Sequence, residues 1–268
     1  MKYTLGDREV SYNAEGKKIS GDESVLIQNA IDLTSQTNWN KIGFTIAPLF
    51  EEKIYQEFKL GLHQLLISLW RESGLKVENN FLLNQYHTIA KDNSLHFQAL
   101  DKTKLIPSER FPIPIKILEE RISEICKTSL EVFSPTFKQS YFHFRVIRPQ
   151  SNDNNPLHRD VWVEENANGI NLYIPITGSN ENSSLAIIPG SHLWPESRIE
   201  RTEQGALING VKFNVPAVTN IFGGYEVSRP DPKENEVLVF SPYLIHGGSM
   251  NLNQNETRIS MEVRLWKK

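Results

Sequence analysis

The chain has 268 residues, of which 39% are hydrophobic and 23% charged, so it can bury a core and does not have the composition of a disordered chain. The formal net charge is −3, from 29 lysines and arginines against 32 acidic residues, which argues against a nucleic-acid binder that depends on a basic surface. One cysteine excludes an intramolecular disulfide and a cysteine-rich zinc site.

The sequence also lacks the signals of membrane insertion and export. Its apolar runs are short, for example Leu65–Ile67, whereas a spanning helix needs about 20 apolar residues. The first twenty residues are charged and contain no apolar segment typical of a signal peptide, and the last residues are not a peroxisomal address. We therefore expect a cytoplasmic protein with no membrane partner, in keeping with its single cysteine.

Helical spacing dominates residues 1–139. Apolar residues recur at intervals of three and four between Phe50 and Leu69, which predicts an amphipathic helix, and Gly74 is a typical stop signal. A second helix is predicted after Pro114, with Cys126 on its apolar side. We expect Cys126 to pack in a core and not to act as a nucleophile.

Short strands separated by polar turns follow in residues 140–268. The candidate strands are Tyr141–Ile147, Ile170–Ile176, Ser184–Ile188, Val237–Phe240 and Arg258–Trp266. Many short antiparallel strands without intervening helices indicate a jelly roll or barrel. The prediction is one domain over residues 1–268, mainly β, with a double-stranded β-helix (cupin-like jelly roll) core in residues 140–268 and a helix-rich covering part in residues 1–139.

A candidate metal site lies at His158-Arg159-Asp160. Side chains at i and i+2 of an extended chain point to one side, so His158 and Asp160 can share one metal. His246, at the end of an apolar run and before two glycines, would complete a 2-His-1-carboxylate face with open positions, as in non-haem Fe(II) oxygenases. The His-x-Asp spacing alone is common by chance, and a surface turn pair is the alternative. Most of the other histidines are expected to be structural.

The last predicted strand separates a polar face from an apolar one. Arg258 and Ser260 share the polar face, and the intervening apolar residues share the other. A buried arginine needs a partner, and a planar guanidinium suits a carboxylate held by two hydrogen bonds. An ordinary ion pair with Glu262 is the alternative, and Arg145 is a second candidate for the carboxylate site.

These motifs together resemble the phytanoyl-CoA dioxygenase (PhyH-like) family of Fe(II)/2-oxoglutarate-dependent oxygenases. The residues that carry the resemblance are, in chain order, Gly43–Pro48, His158-Arg159-Asp160, Tyr173–Ile176, Leu185–His192 with its Ile-Pro-Gly-Ser-His run, His246–Gly248 and Arg258–Ser260. The resemblance covers residues 140–268 best, and the Ile-Pro-Gly-Ser-His run is its most specific part.

The resemblance implies a role for each matched residue. His158, Asp160 and His246 would bind Fe(II) and act in catalysis. Arg258 with Ser260 would hold the distal carboxylate of 2-oxoglutarate, and Tyr173 would lie beside this co-substrate. Arg159 replaces the glutamine of many members, so a co-substrate contact from this position is not carried over, and His192 would stabilise a turn. Asp160 favours oxygenation over halogenation, since halogenating relatives carry a small residue at this position.

The implied activity is an Fe(II)- and 2-oxoglutarate-dependent dioxygenase that uses O2 to hydroxylate a small polar metabolite, with release of succinate and CO2. A non-catalytic jelly-roll protein that binds a small molecule and a cupin-type metal isomerase are the alternatives. Arg258 and Ser260 speak against the isomerase, which has no need of a dicarboxylate site. We expect a monomer or weak homo-oligomer, with loops 148–157 and 192–215 selecting the substrate through residues such as Arg198 and Arg201.

Overall fold

The computed structural model describes residues 1–27, 32–151, 155–163, 166, 168–248 and 250–268. Its α-helices are α1 (Glu52–Glu72), α2 (Asn93–Lys102) and α3 (Ile115–Cys126). The predicted helices correspond to α1 and α3. Gly74 follows the end of α1 with a φ of +90°, a left-handed conformation that favours glycine. Helix α2 was not predicted, because only His96 and Ala99 of it are buried and the apolar stripe is weak.

Most of the strands are short. They are β1 (Lys2–Leu5), β2 (Arg8–Ser11), β3 (Lys18–Ser20), β4 (Phe44–Pro48), β5 (Ile106–Pro107), β6 (Leu130–Glu131), β7 (Tyr141–Ile147), β8 (Gly169–Thr177), β9 (Ala186–Ile187), β10 (Ile199–Thr202), β11 (Ala206–Ile208), β12 (Val211–Phe213), β13 (Val218–Ile221), β14 (Glu236–Phe240), β15 (His246–Gly247) and β16 (Arg258–Lys267). All five predicted strands are present within a few residues of their expected bounds.

Two layers of strands form a jelly roll. The large antiparallel sheet has the order β4-β14-β8-β16-β7-β5, with β6 also on β16. In the second layer His158 bridges His246 of β15, β15 pairs with β9, and Ile187 of β9 bridges Ser228. Buried side chains of β8, β9 and β14 pack together between the layers. The chain passes back and forth between the layers, which is the arrangement of a double-stranded β-helix and confirms the predicted fold class.

Residues 1–139 do more than cover the sheet with helices. Strand β4 pairs with β14 and β5 with β7, so the first part of the chain supplies both edges of the large sheet. Strand β3 pairs with β10 in a separate sheet that also contains β13. These strands have two to five residues, too few for an alternating pattern to stand out from the sequence.

Strand β16 has an apolar outer face and a polar inner face. On β16, Ile259, Met261, Val263 and Leu265 are buried in the main core together with apolar residues of α1 and α3. The alternate residues, Arg258, Ser260, Glu262 and Arg264, face the opposite side. The predicted division of this strand is thus confirmed, and Cys126 lies fully buried in the same core. No helix in the described ranges is long and apolar enough to cross a membrane.

The core under α1 provides a test of this packing. Leu66 is fully buried, whereas Leu60 on the same helix is 60% exposed. Leu66→Ala should lower the free energy of unfolding by about 2–5 kcal/mol, because it leaves a cavity. Leu60→Ala should change it by less than about 0.5 kcal/mol. Urea unfolding followed by circular dichroism measures both; equal effects would show that α1 does not pack as described.

Candidate metal centre

The two histidines of the site come from neighbouring extended segments. The backbone N–H of His158 donates to the carbonyl of His246 at 2.8 Å, and the N–H of His246 donates to the carbonyl of His158 at 2.9 Å. Residues that face each other in an antiparallel bridge point their side chains to the same side. The ring centroids are accordingly only 4.5 Å apart.

Both imidazoles present the same nitrogen to the interior. Nδ1 of His158 lies 2.8 Å from the carbonyl oxygen of Pro156, and Nδ1 of His246 lies 2.9 Å from that of Leu244. Because a carbonyl can only accept, each Nδ1 carries the proton and each Nε2 keeps its lone pair. Burial, with His158 as the next cause, lowers the pKa of His246 to about 4, so this ring is neutral at physiological pH.

Asp160 completes a compact group of three buried ligands. Its Oδ1 lies 3.2 Å from Nε2 of His158 and 3.8 Å from Nε2 of His246, and one ligand atom from each residue falls within 4.8 Å of the others. The chain is extended through Arg159 (φ −105°, ψ 135°) and turns at Asp160 into a 3-10 segment. The structure therefore brings together the three residues that the sequence singled out.

The second oxygen of Asp160 is held by two neighbours that the sequence analysis missed. Asn171 Nδ2 donates to Oδ2 at 2.8 Å, and Arg264 Nη2 donates to it at 2.9 Å. Burial alone would raise the pKa of Asp160, but the Arg264 guanidinium is the largest opposing cause, and this pKa lies well below its ordinary value. Oδ1 of an ionised carboxylate thus remains free to bind a cation. Arg264 shares the inner face of β16 with Arg258, so the alternation of this strand could have placed it inside the barrel, although not against Asp160.

Arg159 points away from the three ligands. Its side chain is fully buried and forms an ion pair with Glu196, while Nη2 donates to the backbone carbonyl of Ser191. The guanidinium also lies 5.9 Å from the ring of Trp162. These contacts fit the expectation that a co-substrate contact from this position is not carried over.

Arg258 has a buried guanidinium without a carboxylate partner. It is 1% exposed, its Nη1 donates to Oγ of Ser260 at 3.1 Å, and its Cζ lies 5.6 Å from the ring centroid of Tyr173. Nε is buried without a hydrogen-bond partner, and no acid in the described ranges lies within ion-pair distance. Glu262 instead pairs with Arg145 Nε at 2.8 Å, so the alternative of an Arg258–Glu262 ion pair is wrong.

Tyr173 connects the arginine to the metal-ligand cavity. This cavity is lined by the three ligands and by Arg145, Tyr173, Phe240, Glu262 and Arg264, among others. The Tyr173 ring contacts the Arg258 guanidinium, and its hydroxyl is 2.7 Å from Oγ of Ser179.

The arginines expected to select a substrate lie elsewhere. Arg198 stacks on Trp194, with 3.8 Å between its Cζ and the ring centroid, and donates to two backbone carbonyls. Arg201 lies 4.8 Å from the ring centroid of Trp162. Residues 192–215 are not one long loop but contain β10, β11 and β12. Of the other predicted loop, residues 152–154 lie outside the described residues.

The remaining histidines have structural contacts. His192 is buried and its Nε2 lies 2.6 Å from the carbonyl oxygen of Asn40, so it ties the segment before β4 to the turn after β9. His63, His87, His96 and His143 each form at least one hydrogen bond with the protein.

Comparison with known proteins shows the fold and not a family. No protein-family model matches the sequence, and no curated protein matches it. EvdO2 from Micromonospora carbonacea var. aurantiaca matches over 92% of this chain and 94% of its own, with 14% identity and a TM-score of 0.53.

Two further solved structures are similar at a lower level. The non-haem α-ketoglutarate-dependent carbocyclase SnoK of nogalamycin biosynthesis has 12% identity and a TM-score of 0.47, covering 92% of this chain and 87% of its own. EctD from S. alaskensis, solved with 2-oxoglutarate and 5-hydroxyectoine, has 11% identity and a TM-score of 0.46, covering 96% and 86%. The phytanoyl-CoA dioxygenase resemblance therefore remains a hypothesis carried by its motifs.

The contact between Arg264 and Asp160 gives a prediction for metal affinity. Arg264→Gln should weaken binding of Co(II), used as the probe, by about 10–100-fold, as loss of a group that orients a metal ligand does. The reason is that Oδ2 of Asp160 is then held by Asn171 alone, and the buried carboxylate has less compensation for its desolvation. Equilibrium dialysis and the visible spectrum of bound Co(II) measure the effect.

Arg145→Gln is the matched control, because Arg145 contacts Glu262 and not Asp160. It should leave the Co(II) affinity within about threefold of wild type, since no ligand loses a contact. If both variants bind Co(II) like the wild type, Arg264 does not position the ligand carboxylate.

Proposed function

We propose that this protein is a cytoplasmic Fe(II)- and 2-oxoglutarate-dependent dioxygenase of the phytanoyl-CoA dioxygenase type, which hydroxylates a small polar metabolite. The observation that carries the proposal is the pairing of two features in one barrel. Two imidazoles and one carboxylate bring Nε2, Nε2 and Oδ1 within 4.8 Å of one another, and in the described ranges the buried guanidinium of Arg258 has no acid within ion-pair distance.

The donor set fits iron. Two imidazoles and one carboxylate on one side of the ion leave further positions open, which is the ligand set of non-haem Fe(II) oxygenases. When bound, Fe(II) with 2-oxoglutarate and O2 supplies the oxidising chemistry, with succinate and CO2 as co-products. Hydroxylation is the proposed outcome, since Asp160 occupies the position that halogenating enzymes leave to a halide.

The protein residues supply binding, orientation and a water-poor environment. His158 and His246 are fixed by their Nδ1 hydrogen bonds, and Asp160 by Asn171 and Arg264. Arg258 and Ser260 would hold the distal carboxylate of 2-oxoglutarate, and the Tyr173 ring would form the wall beside it. Because each group is fixed before the ligands arrive, little reorganisation is needed during reaction.

Each alternative function leaves one feature of the described residues unexplained. A cupin-type isomerase or a binder of neutral small molecules has no use for Arg258, whose burial without an anion is costly. A binder of a small acid would use Arg258 but not the three converging metal ligands. A metabolite screen with Fe(II), O2 and 2-oxoglutarate, read as substrate-stimulated succinate, separates these functions.

The three metal-ligand residues give the first prediction of this proposal. His158→Ala and His246→Ala should each lose most bound iron and all substrate-stimulated succinate, because two ligands rarely retain Fe(II). Asp160→Ala retains two imidazoles, so it should keep part of the metal but lose hydroxylation. Iron content by atomic emission and succinate by mass spectrometry are the measurements. Full activity of both histidine variants contradicts the assignment.

Arg258 gives the second prediction. Removing one partner of a buried charge pair costs about 3–5 kcal/mol, so Arg258→Met should weaken 2-oxoglutarate binding about 10²–10³-fold and leave Fe(II) binding largely intact. Arg258→Lys should be intermediate at best, since lysine keeps the charge but loses the planar fork. Anaerobic titration of the visible Fe(II)–2-oxoglutarate absorption band measures the affinity.

The control ligand is 2-oxobutanoate, which lacks the distal carboxylate. It should bind wild type and Arg258→Met with similar affinity. If Arg258→Met binds 2-oxoglutarate like the wild type, the distal carboxylate is held elsewhere, and Arg145 becomes the next candidate.

A further inference from the structure

A row of alternating charges runs from the metal ligands along the inner face of the large sheet. Arg264 donates to Oδ2 of Asp160 at 2.9 Å. Glu262 is two residues away on the same face of β16 and interacts electrostatically with Arg264. Arg145 on β7 ends the row by donating from Nε to Oε2 of Glu262 at 2.8 Å. The charges therefore alternate from a carboxylate at the metal end to a guanidinium at the other end.

The guanidinium at the end of the row has unused donors. Arg145 lines the same cavity as the three metal ligands, and its side chain remains 38% exposed. Within the described part of the chain, Arg145 donates one side-chain hydrogen bond, from Nε to Glu262, and its two terminal Nη groups have no hydrogen-bond partner. Arg145 thus differs from Arg264, whose Nη2 is already used by Asp160.

In the described ranges Arg145 has only Glu262 as an ion-pair partner, and their contact uses Nε alone. Glu262 is shared by two arginines, and although burial raises its pKa, Arg145 and then Arg264 outweigh burial and lower it. Asp160 pairs with Arg264 through Oδ2, and in the proposed function its Oδ1 would bind the metal. A guanidinium that faces a cavity with free N–H donors binds a carboxylate or phosphate group through charge-assisted, bidentate hydrogen bonds.

We propose that Arg145 binds an anionic group of the substrate, a carboxylate or a phosphate, inside this cavity. This inference rests on the proposed function, in which Arg258 already holds the co-substrate carboxylate. Arg258 is buried with its guanidinium 5.6 Å from the Tyr173 ring centroid, whereas Arg145 lines the cavity and is partly exposed, so the two arginines would bind different anions.

Two other groups of the cavity narrow the class of substrate further. Oδ1 of Asn171 is buried and has no hydrogen-bond partner in the described ranges, so it can accept from a hydroxyl or amine of the substrate. Leu185 and Phe240 give the same cavity an apolar wall. The substrate class is a small anion that carries one polar donor group and some apolar surface.

The experiment compares anions with neutral partners of the same shape. The probes are glycerate with glyceramide, benzoate with benzamide, and glycerol 3-phosphate with glycerol, all at one ionic strength. Binding to the anaerobic Fe(II)–2-oxoglutarate protein is read from changes of the visible absorption band, and binding to the metal-free protein from ligand-observed NMR. The carboxylate and phosphate pairs separate the two sources of the anionic group.

Three variants test the role of Arg145. Arg145→Gln removes the charge, Arg145→Lys keeps it without the fork, and Arg145→Gln with Glu262→Gln keeps the row balanced in case the single variant does not fold. Arg148→Gln is the matched control: it removes one charge just beyond the end of β7, where Arg148 contacts Asn93 and not the ligands.

Wild type and Arg148→Gln should each bind at least one anion about tenfold or more tightly than its neutral partner. In Arg145→Gln this preference should fall to about threefold or less, in Arg145→Lys it should be intermediate, and the affinity for 2-oxoglutarate should remain within about threefold of wild type.

Three results would overturn the proposal. The wild type could bind anions no more tightly than their neutral partners, or this preference could survive in Arg145→Gln. The third result is an Arg145→Gln variant that loses affinity for 2-oxoglutarate and keeps the anion preference. If the Fe(II)–2-oxoglutarate band does not form in wild type, the proposed function fails. The NMR comparison on metal-free protein then still decides whether Arg145 creates an anion site.

Discussion

The alternation of side chains along β16 is the constraint on which the site depends. This strand pairs with β7 on one side and β8 on the other, so its direction and register are fixed along most of its length. Its outer residues join the main apolar core, and burial of that face stabilises the fold. Because side chains alternate along a strand, packing the outer residues in the core points Arg258, Glu262 and Arg264 into the barrel.

Charges placed inside a barrel have to be neutralised there. Buried ion pairs often contribute little to stability, because the cost of removing both groups from water offsets their attraction. The row from Asp160 to Arg145 is therefore better understood as a device that orients groups than as a source of stability. Each carboxylate has a guanidinium neighbour, and Asp160 keeps one oxygen free as a result.

The sequence predicted most of what depends on local spacing. The i, i+2 relation of His158 and Asp160 and the alternation after Arg258 are short-range patterns, and the structure brings the three ligands together and sorts β16 as expected. The contacts of Asp160 with Asn171 and Arg264 could not be derived in this way. They depend on which strands become neighbours, and Arg264 is 104 positions away in the sequence.

Register explains why Arg159 is as important as its neighbours. A slip of one residue would exchange the two sides of the His158–Asp160 segment and place a guanidinium among the imidazoles. Two contacts prevent this: the backbone bridge between His158 and His246, and the buried ion pair between Arg159 and Glu196. Moving Arg159 inward would leave Glu196 without its charge partner in a buried position, which is strongly unfavourable. The arginine on the outer side thus helps to hold the ligands on the inner side.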